Sequence, residues 1–184
     1  MTKRAVFLDR DGTINEEKEY LSDPARLVLF SGAGTALRRL REAGFLLFIV
    51  TNQSGIGRGY YTVEDMHRVN RRLCEVLAAD QVAFEKIYFA PEAPDQPSRG
   101  RKPSPYFLLQ ARDEFGVDLA GSYMVGDKVI DLECGWNAGV ARSILVRTGY
   151  GASVEAGWAG KPNAAKVVDG LPEAADFILK SGPA

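Results

Sequence analysis

Asp9 and Asp11 are the two side chains in this sequence best placed to do chemistry together. Val6-Phe7-Leu8 is an apolar run that stops at Asp9, and Arg10-Asp11-Gly12-Thr13 changes at once to turn chemistry. Asp9 is therefore expected at the carboxyl end of a strand, the edge of an open parallel sheet on which ligands bind. Asp11, two residues on, can face the same site in a different role, so that one carboxylate attacks while the other moves protons. An Asp-x-Asp-Gly string can also do no more than end a strand. The ending recurs, however. Residues 45–50 run into Thr51-Asn52, residues 122–125 run into Gly126-Asp127-Lys128 with Asp131 four residues beyond Asp127, and Lys102 follows a further strand read over 85–89.

These side chains suit phosphoryl transfer. Asp9 and Asp127 offer the hard oxygen ligands that Mg²⁺ prefers, with room left for water and a phosphate oxygen. Thr51 can donate a hydrogen bond to the phosphoryl group, and Lys102 can neutralise the charge that develops on it. Asp9 would attack phosphorus in line to give an aspartyl-phosphate; Asp11 would protonate the leaving oxygen and then activate water. The sole histidine, His67, falls inside a helical pattern beside Met66, so a mechanism built on histidine is disfavoured.

The elements that must position these residues alternate. Ala33, Ala36, Leu37 and Leu40 recur at helical spacing before Gly44, and Phe45 then begins a wholly apolar run of the kind buried on both faces of a parallel sheet. Gln53-Ser54-Gly55-Ile56-Gly57-Arg58-Gly59 reads as a glycine-rich loop able to bring backbone N–H groups to a phosphate. Thr62 is the expected cap of a second helix carrying Met66, Val69, Leu73, Val76 and Leu77. A helix with Leu108, Ala111, Arg112 and Phe115 is expected to start in the prolines just after Lys102, aiming its amino-terminus and the basic run Arg99-Gly100-Arg101-Lys102 the same way. A short helix with Ile130, Cys134 and Ala138, a strand over 144–146, a loop over 152–166, an edge strand at Val167-Val168 and a last helix over 171–179 complete the series. Residues 14–26 read as a polar flap beside Asp9, and residues 90–100 as a proline-rich irregular connection. The expected fold is α/β, a doubly wound, mainly parallel sheet with helices on both faces and no large cap, in one domain spanning residues 1–184.

Bulk properties exclude more than they select. The chain has 184 residues, 46% hydrophobic and 26% charged, with a net charge of −1, so it is globular and carries no global basic surface for nucleic acid. The longest apolar run, 45–50, is too short to span a membrane. A soluble, cytoplasmic monomer acting on a small phosphate ester is expected, with Cys74 and Cys134 as reduced thiols.

The series Asp9-Arg10-Asp11-Gly12-Thr13, Thr51, Lys102 and Gly126-Asp127 with Asp131 resembles the haloacid dehalogenase superfamily of phosphatases. Thr51-Asn52-Gln53-Ser54-Gly55-Ile56, Arg101-Lys102-Pro103, Gly126-Asp127-Lys128 and Val146-Arg147-Thr148-Gly149 narrow the likeness to its heptose bisphosphate and histidinol phosphatase branch, over nearly the whole chain. The resemblance implies a Rossmann-like fold, Asp9 as nucleophile and Asp11 as acid/base with its backbone carbonyl on Mg²⁺. It also implies Asp127 as a metal ligand, Thr51, Asn52 and Lys102 on phosphate, and Gln53 and Ser54 beside them. Arg101 and Lys128 would contact substrate or order the acidic site, with Glu17 and Tyr20 on the flap. That branch usually carries a structural zinc loop, Cys-x-His and then Cys-x-Cys before the Arg-Lys pair; the corresponding places here read Ala90-Pro91-Glu92 and Ser98-Arg99-Gly100, so no zinc is expected. Within the branch, surplus positive charge at Arg101, Arg99, Arg58 and Lys128 favours heptose 1,7-bisphosphate, cleaved at the 7-phosphate, over the cationic histidinol phosphate. Readings from other classes are a phospho-accepting regulatory domain, against which Asp11 speaks because it promotes turnover, and a sugar-phosphate binder without chemistry.

Overall fold

The computed structural model describes residues 3–157 and 165–181. Six strands form one sheet in the order β3-β2-β1-β4-β5-β6, where β1 is Ala5–Leu8, β2 Leu46–Asn52, β3 Lys86–Ala90, β4 Tyr123–Gly126, β5 Arg142–Val146 and β6 Lys166–Val168. Every pairing is parallel. The order reverses at β1, which lies between β2 and β4, and a crevice opens there at the carboxyl edge of the strands. Phe7 pairs with Phe48 on one side and Met124 on the other, so the strands leave the sheet together and deliver Asp9, Thr51-Asn52 and Asp127 to one edge.

Helices cover both faces, which is why the strands are apolar throughout rather than alternating. Val6, Leu8, Leu47 and Ile49 point into a core shared with α1 (Ala33–Glu42) and α7 (Leu171–Lys180); Ala5, Phe7, Phe48 and Val50 point into a second core shared with α4 (Tyr106–Phe115) and α5 (Val129–Ala138). Helix α1 buries the predicted Ala33, Ala36, Leu37 and Leu40, and the chain turns out of it through Gly44 at φ 86°, a left-handed value that favours glycine. Helix α3 (Val63–Ala78) starts on Thr62 as expected, with Thr62 and Asp65 capping each other's backbone N–H.

Three expectations need correction. The stretch read as a glycine-rich loop winds Ser54–Gly57 into a turn of helix, α2, because Gly57 can pack against the backbone of Pro91 and Ala93, where a Cβ would lie 2.5 Å from the Ala93 nitrogen. Within the loop expected over 152–166, Gly151–Ala156 forms α6, anchored by Gly151, whose missing Cβ lets it sit against the Val146 carbonyl; residues 158–164 of that loop lie outside the described residues. Helix α4 does not start next to Lys102 but at Tyr106, since Arg101 to Ser104 close a turn of their own through the Ser104 N–H to the Arg101 carbonyl. The expected flap over 14–26 contains one turn of 3-10 helix at Pro24–Arg26 and is tied down by a bridge from Asn15 to Leu29. Among the described residues no helix is long and apolar enough to cross a membrane.

Candidate active site

At the carboxyl edge the sheet opens into a cavity of about 580 Å³. Asp9, Asp11, Glu17, Tyr20, Thr51, Asn52, Gln53, Ser54, Arg101, Lys102 and Lys128 all line it. Asp127 lies behind this wall, fully buried.

The floor is a charge cluster. Lys102 reaches in from the loop after β3, and its ammonium lies 2.9 Å from Asp9 Oδ1, 2.6 Å from Asp131 Oδ1 and 2.7 Å from the Val50 carbonyl oxygen. Asn52 fixes the lysine's backbone from both sides, accepting from the Lys102 N–H at 3.0 Å and donating to its carbonyl at 3.2 Å. Burial works against the Lys102 charge, but the Asp131 and Asp9 carboxylates outweigh it and raise its pKa. Asp9 Oδ1 also accepts from the Arg10 N–H at 2.8 Å. Its other oxygen, Oδ2, has no hydrogen-bonding partner among the described residues.

Asp9, Asp127 and Asp131 each direct a carboxylate oxygen to one place, these atoms lying within 4.8 Å of one another. Asp127 Oδ2 accepts from the Tyr150 N–H at 2.9 Å, while its buried Oδ1 is unpartnered. Gly12 and Gly149, both with positive φ, form the cradle: a Cβ on either would come within 2.2 Å of Asp127 Oδ2. Burial and the charge of Asp9 push the Asp127 pKa up, and burial raises that of Asp131 against the opposing pull of Lys102. Three converging carboxylates, one with an orphaned oxygen, outnumber Lys102 and the neighbouring Lys128, which is itself paired with Glu17. This donor set fits a hard divalent cation such as Mg²⁺.

Asp11 stands apart from that cluster. Its Oδ2 accepts from Arg10 at 2.8 and 3.1 Å and from Gln53 Nε2 at 3.0 Å, and its Oδ1 accepts from Asn15 at 2.9 Å. Burial would raise its pKa, but the Arg10 charge and the bonds from Arg10, Asn15 and Gln53 bring it below the ordinary value. Arg10 itself is wholly buried and is held by Asn70 Oδ1 at 2.8 Å and Gln53 Oε1 at 3.2 Å. Gln53 Nε2 also donates to Thr51 Oγ1 at 2.9 Å, so the threonine's own hydrogen is free to point into the cavity. Gln53 thus faces the cavity while spending most of its bonds on Asp11, Thr51 and Tyr61.

The rim is half-buried. Lys128 spans from the floor to the flap, 3.1 Å from Glu17, with its ammonium 4.8 Å from the Tyr150 ring centre. Tyr20 adopts a left-handed φ of 57° and lies against Gly55, where a Cβ would come 2.7 Å from its ring. Arg101 is the arginine on the cavity wall; Arg99 instead lies over the Tyr106 ring at 4.3 Å, and Arg58 is exposed outside the lining. Arg99 is therefore no part of the expected cationic set, because Tyr106 at the start of α4 draws it outward.

Residues 100–174 match the HAD-hydrolase-like family model. The chain is 43% identical over 160 residues to the D-glycero-D-manno-heptose-1,7-bisphosphate 7-phosphatase of Chlorobaculum tepidum, covering 80% of each chain. It is 40% identical over 159 residues to the D-glycero-beta-D-manno-heptose-1,7-bisphosphate 7-phosphatase of Escherichia coli K12, covering 83% of each. The chain belongs to the haloacid dehalogenase phosphatases. Its fold superposes with a TM-score of 0.90 on the D,D-heptose 1,7-bisphosphate phosphatase of B. bronchiseptica, a structure complexed with magnesium and phosphate, at 29% identity over 97% of this chain and 99% of that one. As a haloacid dehalogenase phosphatase it is a phosphoric monoester hydrolase, with the doubly wound parallel sheet expected of one.

The sequence alone does not reveal Arg10 and Asn15, which hold Asp11, or Asn70, which holds Arg10, and it assigns no role to Asp131 four residues beyond Asp127. Asp131 carried one usable signal: it stands three residues after Lys128 at the start of α5, and its Oδ2 accepts the Lys128 N–H at 2.9 Å. Arg10 gives no such signal, since a charged residue in a turn is ordinarily solvated.

Proposed function

We propose that this chain hydrolyses the 7-phosphate of D-glycero-D-manno-heptose 1,7-bisphosphate through an aspartyl-phosphate on Asp9. The observation that carries this reading is the floor: a nucleophile with one oxygen tied to Lys102 and Arg10 N–H and the other free, beside a carboxylate trio. Asp9 Oδ2 attacks phosphorus, and the bond to the leaving alkoxide breaks. Asp11 gives that oxygen a proton, then takes one from the water that attacks the aspartyl-phosphate, which releases phosphate and restores Asp9. An anionic phosphoryl group beside Asp11 favours the protonated form that the first step needs. Thr51 donates its hydroxyl to the phosphoryl group, Lys102 balances its charge, and Asn52 fixes Lys102; Gln53 and Ser54 bound the same end of the cavity. Asp9, Asp127 and the Asp11 backbone carbonyl would hold Mg²⁺, which when bound would offset repulsion between the anionic nucleophile and the anionic ester.

Substrate choice rests on the relatives' names and on the rim, where Arg101 and Lys128 surround the sugar end of the cavity and Glu17 and Tyr20 face them from the flap. The same proposal has a single-domain monomer working in the cytoplasm on a diffusible ester, without zinc, nucleic acid or membrane. Its free cysteines suit a reducing compartment, and Gly100, one of the four places of the zinc loop, has no room for a thiol, since a Cβ there would lie 2.2 Å from the Phe107 ring. The test is kcat/KM with Mg²⁺ for the heptose bisphosphate, the heptose 7-phosphate and histidinol phosphate, with ³¹P NMR of the product. We expect the bisphosphate to be preferred and to lose its 7-phosphate; equal or better efficiency on histidinol phosphate would contradict the reading.

A further inference from the structure

We infer that Glu92 and Ser98 form a clasp that closes the loop after β3 and holds Arg101 in place against the cavity. The inference rests on the reading above, in which Arg101 meets the sugar end of a bisphosphate, and identifies two positioning residues for it. Ser98 Oγ donates to Glu92 Oε2 at 2.7 Å, and the same oxygen accepts the Arg101 N–H at 3.1 Å. Arg101 Nη1 then returns to the Glu92 carbonyl at 3.1 Å, so the arginine is held at its backbone by one member of the pair and at its guanidinium by the other. Glu92 and Ser98 stand at two of the places where the branch's zinc loop has ligands, and here they bond to each other instead.

The loop is docked as well as closed. The Gly57 N–H donates to the Pro91 carbonyl at 2.8 Å, Gln96 Oε1 accepts the Ala93 N–H at 2.8 Å, and Gly100 packs on the Phe107 ring. Arg101, however, makes no ion pair among the described residues: the Glu92 carboxylate acts on it only from beyond ion-pair distance, and burial and the like charge of Arg58 lower its pKa. Next door, Lys102 and Lys128 both have theirs. A half-buried guanidinium on a cavity wall, held by a backbone carbonyl and without an ion-paired carboxylate, is suited to an incoming anion. Lys102 already belongs to the nucleophile, so the anion for Arg101 is a second one, such as a phosphate at the far end of a sugar.

Ser98→Ala, Ser98→Thr, Arg101→Ala and the double variant test this with three substrates: the heptose bisphosphate, the heptose 7-phosphate and an aryl phosphate. Amide hydrogen exchange over residues 92–101 is read without substrate. Ser98→Ala should raise KM for the bisphosphate by about three- to tenfold, the worth of a hydrogen bond or two, with kcat and aryl phosphate turnover unchanged. It should also speed exchange at Arg101. Ser98→Thr, which keeps the hydroxyl, should behave as wild type, and Ser98→Ala should add nothing to Arg101→Ala. Unchanged exchange in Ser98→Ala, an equal loss on all three substrates, or a loss additive with that of Arg101→Ala would overturn the clasp. If the wild type shows no preference for the bisphosphate over the monophosphate, the anion contact falls together with the substrate reading, and the exchange result then decides the clasp alone.

Discussion

The floor and the rim of the cavity are built by opposite means. On the floor, Asp9, Lys102 and Asp131 are almost completely buried, and position is set by charge: one ammonium between two carboxylates, with a third close by. On the rim, Glu92, Ser98 and Arg101 are half-exposed and position is set by hydrogen bonds within a loop, without an ion pair. Buried charges are costly unless paired, so the floor tolerates almost no change. Each rim bond contributes only about 1–2 kcal/mol in this half-exposed setting, so the rim can vary while the fold and the chemistry persist. The difference divides the labour: the floor carries the reaction common to phosphate esters, and the rim chooses among them.

Substitutions should separate the two regions by the pattern of loss as well as by its size. Asp9→Asn removes the nucleophile at nearly constant volume and should lower kcat by about four orders of magnitude on every ester, with the far-UV and near-UV circular dichroism unchanged. Wild-type turnover in that variant would rule out the covalent route. Asp11→Asn should cost about 10²–10⁴ in kcat on an alkyl phosphate, and less on an activated aryl phosphate whose leaving group needs no proton. A loss independent of the leaving group would deny Asp11 the acid role. Lys102→Met should lower kcat about 10²–10³-fold on all esters and also destabilise the fold, because Asp9 and Asp131 lose their shared cation. Arg101→Ala should show the smallest effect and the most selective one, about tenfold in KM and confined to the bisphosphate.

Metal removal probes the floor without a substitution. The pKa of Asp127 is raised by burial and by Asp9, so the folded, metal-free protein keeps a proton that the unfolded chain has already released. Stability of the metal-free protein should therefore fall as pH rises above the usual carboxylate range near ~4. Asp131 shifts in the same direction. Mg²⁺ competes with that proton, so the gap in Tm between Mg²⁺-loaded and chelator-treated protein should widen from about pH 5 to about pH 7.5, towards the roughly 3 kcal/mol available at a hundredfold excess over Kd. A gap that stays constant or narrows with pH would place the cation elsewhere.

The two regions also differ in how far they could be read from the chain. Strand ends are legible because an apolar run that stops at Asp9, Thr51 or Asp127 has one physical meaning in a sheet buried on both faces. The parallel sheet and its two-sided core follow from the alternation of strands and helices, whereas the strand order does not, because the same alternation permits more than one. The clasp is illegible for the converse reason: Glu92 and Ser98 are ordinary polar loop residues with no period, and their bond depends on how Gly57 and Phe107 seat the loop. Arg10 escapes notice because its burial is created by α3, whose Asn70 is sixty positions away. Helices α2 and α6 read as loops in the sequence because glycine-rich turns of four and six residues carry too little periodicity to register.

The central claim is that phosphoryl transfer passes through Asp9, and the most direct measurement is of that bond. In Asp11→Asn, an aryl phosphate should still load the nucleophile, while the following attack by water lacks its base. Rapid-quench mass spectrometry of that variant should therefore find one phosphoryl group on the peptide bearing Asp9, formed before product phosphate is released. Turnover with no phosphorylated peptide, or with the phosphoryl group on another residue, would contradict the account.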